Sequence, residues 1–277
     1  MQFLKIIFSI STLIIFLTQT GQAQTDLKNI PWEKEKITKG LQWKHIHTEI
    51  NGSKQNLNVL EINLRKRSLT LVYSPEKNIK TSELAAGSNG LAAINAGFFD
   101  VKNGGSVTFI QVDGLPEIRD TLNLKKTETL NGAFIIKQDG NLEIELAKVY
   151  RVYLTHPGDD DILITGPVLI DDGEVLELPK VPFVENRHPR SCLCINDKNK
   201  ILLITVDGRS EESAGMDLKE LTQLVLSLNC REAINLDGGG STTLWIPGKG
   251  GVVNMPSDNK VFDHLGERPV SNILLVK

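Results

Sequence analysis

The stretch from Ile201 to Asp237 restricts the fold more than any other part of the chain. ILLITV, Ile201 to Val206, is a continuous apolar run of strand length, which suits a strand buried on both faces. After a DGRS loop, Asp217 and Glu220 stand at capping-box spacing ahead of Leu218, Leu221, Leu224, Val225 and Leu228, which share one helical face. The spacing predicts a helix from there to about Asn229. AINL, Ala233 to Leu236, then reads as a short buried strand running into Asp237. Strand, helix and strand in this order imply a parallel pair with a crossover helix. Asp207 and Asp237 would then share the C-terminal edge of neighbouring strands, where open α/β sheets bind ligands. The predicted class is α/β or α+β: a single domain with a mixed β-sheet and crossover helix, its active site at the strand C-terminal edge.

Elsewhere the pattern predicts a strand pair within Val59 to Val72, a short helix over Thr81 to Asn89, and a strand at LAAIN ending in the AGFFD turn. Phe134 to Lys137, Leu142 to Leu146 and Val149 to Leu154 read as further strands. No repeat, low-complexity tract or long linker divides the chain. At 277 residues and 40% hydrophobic content it can bury a real core, which excludes disorder, collagen and coiled coil. Its 31 basic and 34 acidic residues give a net charge of −3, with no electrostatic footprint for nucleic acid.

Residues 1–23 have the order of a secretory signal peptide: Lys5, an apolar stretch from Ile6 to Leu17, then Gly21 and Ala23. That stretch is shorter than the roughly 20 residues of a membrane-spanning helix, so no stable membrane insertion is expected after cleavage. The mature chain, 24–277, is expected to be periplasmic or extracellular. Of the three cysteines, Cys192 and Cys194 point to one face of a strand and are poorly placed to bridge each other, which leaves buried thiols or a bridge from Cys230 to either.

The strongest local motif is NLDGGGSTT, Asn235 to Thr243. Its glycines let the backbone approach a ligand, aim N–H groups at an anion and leave the Ser241 and Thr242 hydroxyls beside it. It lacks the Lys of a Walker loop and the second Gly of a serine-hydrolase elbow. VDGRS, Val206 to Ser210, offers a carboxylate at Asp207 and a guanidinium at Arg209. Together with Asp237, Asp207 would give the paired carboxylates of most glycosidases. In RHPRS, Arg190 is a candidate bidentate anion clamp. NAGFFD presents Asn95 with two aromatics, Phe98 and Phe99, suited to a sugar ring or to the core. His45 and His47 lack the spacing of a metal site, and His156 stands beside Asp159, Asp160 and Asp161, an acidic run expected to be a solvated turn. No metal or other cofactor is expected.

The motifs NAGFF, GPVLIDDG, HPRS, VDGRS with GMDLKEL, AINLDGGGSTT and ERPVSN, in this order, resemble the phosphodiester glycosidase domain family over residues 90–277. Ser191, where Thr is usual, and the SCLCI strand are the departures. The resemblance implies an exported hydrolase cleaving the sugar–phosphate bond of glycosyl phosphodiesters, of N-acetylglucosamine-1-phosphodiester type or related bacterial or host glycans. It implies Asp207, Asp237 and Arg190 as catalytic groups. Asn95, Arg209, Gly238, Gly239, Gly240, Ser241, Thr242, Arg268 and Ser271 would bind substrate. Which Asp acts as nucleophile or base stays open. The competing class is a non-catalytic glycan-binding or exopolysaccharide-assembly protein using the same pocket.

Overall fold

In the computed structural model, which describes residues 27–117, 128–155 and 158–277, the ILLITV run is the strand Ile201–Val206, buried along its whole length. Leu202, Ile204 and Val206 pack with Leu218, Leu221, Leu224 and Val225 of the helix Leu218–Ser227, while Ile201 and Leu203 face a second core on the other side. Burial on both faces is why the run lacks alternation. Asp217 caps the helix, accepting from Glu220 N at 2.7 Å, and Glu220 returns the bond to Asp217 N at 3.1 Å. Emptying one of the core positions, as in Leu221→Ala, would cost roughly 2–5 kcal/mol.

The strand belongs to an eight-stranded sheet ordered Glu33–Thr38, Leu41–Ile50, Ser53–Ile62, Ile201–Val206, Arg190–Asn196, Cys230–Asn235, Val168–Asp171, Glu174–Val175. Two five-stranded sheets share its inner core. One is ordered Leu142–Leu146, Gly132–Ile136, Asp161–Thr165, Ile110–Val112, Leu115–Glu117. The other is ordered Gly251–Val252, Leu244–Ile246, Ala92–Asn95, Asn272–Val276, Leu69–Tyr73. Phe134, Ile94, Leu274 and Leu71 from these sheets meet Leu60, Leu193 and Ile234 of the large one. The protein is mostly β, compatible with the α+β class. Among the described residues no helix is long and apolar enough to cross a membrane.

Four expectations are corrected. Ile201–Val206 and Cys230–Asn235 are not neighbours: Arg190–Asn196 lies between them, antiparallel to both, so the helix crosses over one strand and the sheet is not mixed. The predicted pair within Val59 to Val72 is two strands in different sheets, facing each other through Leu60, Ile62 and Leu71. Val149 to Leu154 is largely helical, Tyr150–Leu154, because one side chain, Tyr153, enters the core while Val149 and Val152 stay exposed. The acidic run is not solvated: Asp161 accepts from Leu71 N and Asp113 N, each at 2.9 Å, and Asp160 from Gln138 N at 3.0 Å. Buried carboxylates here tie three segments together.

Cys194 and Cys230 form a disulfide between adjacent strands, with Cα atoms 5.9 Å apart, while Cys192 is a buried free thiol. The proposed signal segment and His156 lie outside the described residues.

Candidate active site

The register Arg190↔Val206 and Cys192↔Asn235 brings the start of one strand and the ends of its two neighbours to one edge of the large sheet. Asp207 and Asp237 leave from that edge on either side of Arg190. Their surroundings differ sharply.

Asp207 is 0% exposed. Its Oδ1 accepts from Asn254 Nδ2 at 2.8 Å, and its Oδ2 accepts from Asn56 Nδ2 at 2.7 Å and Met255 N at 2.9 Å. Burial raises its pKa, against the opposing effect of those three donors and the charge of His264. A carboxylate so enclosed holds residues 254–255 against the strand end and presents no oxygen to a ligand. Asn254 Nδ2 also donates to the Thr242 carbonyl at 3.0 Å, which connects Asp207 to the glycine turn.

Asp237 stands at the head of that turn, half-buried. Its Oδ1 accepts from Gly238 N at 2.9 Å. Burial pushes its pKa up to about 6, against the pull of the Ser241 side chain, the Gly238 N–H and the charge of Arg268. The turn is held from behind by Asn95, whose Nδ2 donates to the Asp237 carbonyl at 2.6 Å. Asn95 Oδ1 accepts from Ser191 Oγ and Thr243 N at 2.6 and 3.1 Å.

The glycines are explained by what lies against them. Gly239 has φ +62°, and a Cβ there would come 2.8 Å from Arg209 Nη2; a Cβ on Gly240 would come 2.5 Å from Arg268 Nη2. Two guanidinium groups therefore lie against successive residues of the turn. Arg268 is ion-paired to Asp258, whereas exposed Arg209 has no hydrogen bond or ion pair among the described residues. The backbone contributes less than the motif promised. Gly238 N serves Asp237, Gly239 N serves the Pro189 carbonyl at 2.8 Å, and Ser241 N and Thr242 N turn inward to Gly238 O and Gly239 O. Among the described residues only the Gly240 N–H of this turn has no partner.

Arg190, expected as an anion clamp, is 1% exposed and committed to backbone: Nε donates to Met216 O at 2.9 Å, and Nη2 to Phe183 O and Asn186 O at 2.8 and 2.9 Å. Its guanidinium lies 5.2 Å from the Phe183 ring centroid, and burial lowers its pKa to about 10 against the charge of Asp217. It fixes the strand start from beneath. Ser241, Thr242 and Ser271 are fully buried, and Ser271 Oγ accepts from Asn272 Nδ2 at 2.8 Å. Phe99 is in the core, while half-buried Phe98 meets Phe183 edge-on.

Sequence reasoning passed over His188. It precedes the Pro189 carbonyl that anchors Gly239, and its imidazole has no hydrogen-bond partner among the described residues. Burial lowers its pKa, and the charges of Arg190 and Arg209 lower it further, so it stays neutral beside two cations. Asn56 and Asn254 were also missed, since isolated asparagines carry no local signal. Among the described residues no group of three or more His, Cys, Asp or Glu side chains could hold a metal ion.

The arrangement is thus a half-buried carboxyl with a raised pKa, the unpaired Arg209 guanidinium, the Arg268–Asp258 ion pair, a neutral imidazole and a free N–H around a tight turn, among the described residues. Such a set can hold an anionic oxygen beside a proton acceptor.

A family model described as phosphodiester glycosidase matches residues 88–277. Over 110 residues the chain is 40% identical to the SPbeta prophage-derived protein YomE of Bacillus subtilis strain 168, covering 36% of this chain and 17% of that protein. It is 26% identical over 198 residues to N-acetylglucosamine-1-phosphodiester alpha-N-acetylglucosaminidase of Bos taurus, covering 66% of this chain and 36% of that one. The chain therefore spans well under two thirds of these relatives. The catalytic domain of the zebrafish enzyme of the same name, solved auto-inhibited by its pro-peptide, superposes with a TM-score of 0.69 at 22% identity, covering 89% of this chain and 88% of that one. A protein of Synechocystis superposes with a TM-score of 0.64 at 16% identity, over 89% of this chain and 64% of its own. At these identities the structural likeness concerns the fold. The family match runs from before the NAGFF turn to the last strand and includes Asp237, His188, Arg209 and Arg268, and by that match the chain belongs to the phosphodiester glycosidase family.

Proposed function

We propose that this protein hydrolyses the bond between an anomeric carbon and a phosphodiester oxygen, releasing a sugar and a phosphomonoester. The observation that carries the reading is Asp237, its pKa raised to about 6, at the head of a turn against which Arg209 and Arg268 lie. A phosphodiester has one negative charge, matched by the Arg209 guanidinium, unpaired among the described residues, and the Gly240 N–H, with Arg268 shared with Asp258. Neutral His188 adds an N–H donor without adding charge. On departure the phosphate keeps the bonding electron pair and needs no proton from the protein. Water supplies the hydroxyl to the anomeric carbon, and Asp237 takes its proton. Asp207, Asn95 and Arg190 act as positioning residues. The signal-like segment at 1–23 and the Cys194–Cys230 disulfide support a site of action outside the cytoplasm.

The test is incubation of purified protein with methyl N-acetylglucosamine-1-phosphate, followed by NMR of the products. Free sugar with methyl phosphate supports hydrolysis. Saturable binding without turnover would instead make the protein a glycan-binding member of its family.

A further inference from the structure

Two of the chain's three tryptophans, Trp43 and Trp245, line one cleft of about 450 Å³. One wall is the segment that carries Arg268 to the glycine turn: Glu267 lines the cleft and Arg268 reaches Gly240. Trp43 belongs to the Leu41–Ile50 strand, outside the part of the chain that the family model covers.

The two indoles are fixed differently. Trp43 stacks on His45 with ring centroids 4.1 Å apart and gives its N–H to Asn58 Oδ1 at 3.1 Å. Trp245 is 7% exposed and packs with Ala93, Ile273 and Leu275, yet its Nε1–H has no acceptor among the described residues. Gly251, at φ +102°, lies beside it; a Cβ there would stand 3.7 Å from Trp245 Nε1, so the glycine leaves the polar edge of the indole uncovered. The Nε1–H therefore opens onto the cleft, where water or a ligand hydroxyl accepts it.

Other polar groups converge on the same space. The Lys80 ammonium, whose charge acts on Glu267 across the cleft, makes no side-chain hydrogen bond or ion pair among the described residues. Glu267 accepts from Ser82 N and Ser82 Oγ, each at 2.7 Å. His264 engages the Asn254 carbonyl through Nδ1 at 2.7 Å, leaving Nε2. Donors and acceptors around flat apolar surface match a sugar ring, which has an apolar face and hydroxyls at its rim.

We propose that this cleft binds an uncharged saccharide ring, with Trp245 Nε1–H and Lys80 donating to its hydroxyls and Trp43 supplying the apolar contact. As a binding site it stands apart from the hydrolytic reading.

The experiment is ligand-observed NMR of the full chain with methyl glycosides of glucose, galactose, mannose and N-acetylglucosamine and with trisaccharides of each. Being uncharged, these probes have no use for the guanidinium groups. Saturable binding of at least one is expected. Trp245→Phe, which keeps the packing and removes the N–H, should weaken it about tenfold, as should Lys80→Ala at the cleft wall. Asp237→Asn should leave it unchanged. Melting curves identify any variant that has lost its fold, and Lys80→Ala still decides the matter if Trp245→Phe has. No saturable binding by any probe, wild-type affinity in the folded variants, or loss of binding in Asp237→Asn would each overturn the proposal. Cleft binding without phosphodiester hydrolysis would support it and overturn the catalytic reading alone.

Discussion

Arg209 lies where a side chain on Gly239 would have to go: a Cβ at that position would fall 2.8 Å from its Nη2. Backbone conformation and cation placement are thereby the same constraint, since φ +62° at residue 239 is open to glycine at little cost. Gly239→Ala should cost about 1–2 kcal/mol of stability. It should also push the guanidinium aside, raising KM more than the loss of stability explains. Steady-state kinetics paired with a melting curve checks this; a wild-type KM would show that Arg209 does not depend on the turn.

Asp237→Asn should abolish turnover and, above neutral pH, should not lower the melting temperature. The sign follows from linkage: the folded pKa, about 6, exceeds the ordinary 3.8, so the native state binds this proton more tightly than the unfolded one. The group favours folding most at low pH, and that contribution is lost as pH rises from about 4 to about 6. Asparagine removes the dependence. Melting curves of both proteins across this window should diverge by about 1–3 kcal/mol. In the wild type, kcat/KM should rise with pH to a plateau above about 6 as the carboxylate forms.

Asp207→Asn should behave in the opposite way. An amide nitrogen at this position faces Asn56, Asn254 or Met255 donors, so at least one buried N–H is left unpaired. The expected loss is about 1–3 kcal/mol, visible as a lower melting temperature along with the loss of activity. Unchanged melting with abolished turnover would give Asp207 a direct chemical role.

The arginines separate by burial. Arg209→Ala removes an exposed guanidinium without a partner among the described residues, so KM should rise by roughly 10–100-fold with the melting temperature intact. Arg190→Ala strands the Met216, Phe183 and Asn186 carbonyls and opens a void beneath the strand start. Destabilisation should precede any kinetic effect. Melting curves and kinetics on both variants are the check.

Local pattern read well wherever one physical cause acted alone. The capping box and apolar stripe of Leu218–Ser227 and the doubly buried Ile201–Val206 are legible because burial and hydrogen bonding there follow from neighbours in sequence. The strand order was not: nothing in residues 201–236 says that Arg190–Asn196 inserts between the two strands. In the site, the glycines and Asp237 stood out, but the motif could not show that most of its N–H groups would bond internally. Nor could it distinguish an enclosed carboxylate from an accessible one, because Asp207 is enclosed by Asn56 and Asn254, distant in sequence.

The order of the large sheet bears on how this protein gains and loses activity. The edge that holds Asp207 and Asp237 exists only when strands from early and late in the chain have paired, and the asparagines that enclose Asp207 come from both. Arg268 arrives just ahead of the last strand, Asn272–Val276, which runs between Ala92–Asn95 and Leu69–Tyr73. Contacts so remote along the chain form slowly and together. A partly folded species can hold the helix and its cap, yet it has no cation beside the turn, so turnover reports the completed topology rather than the amount of secondary structure.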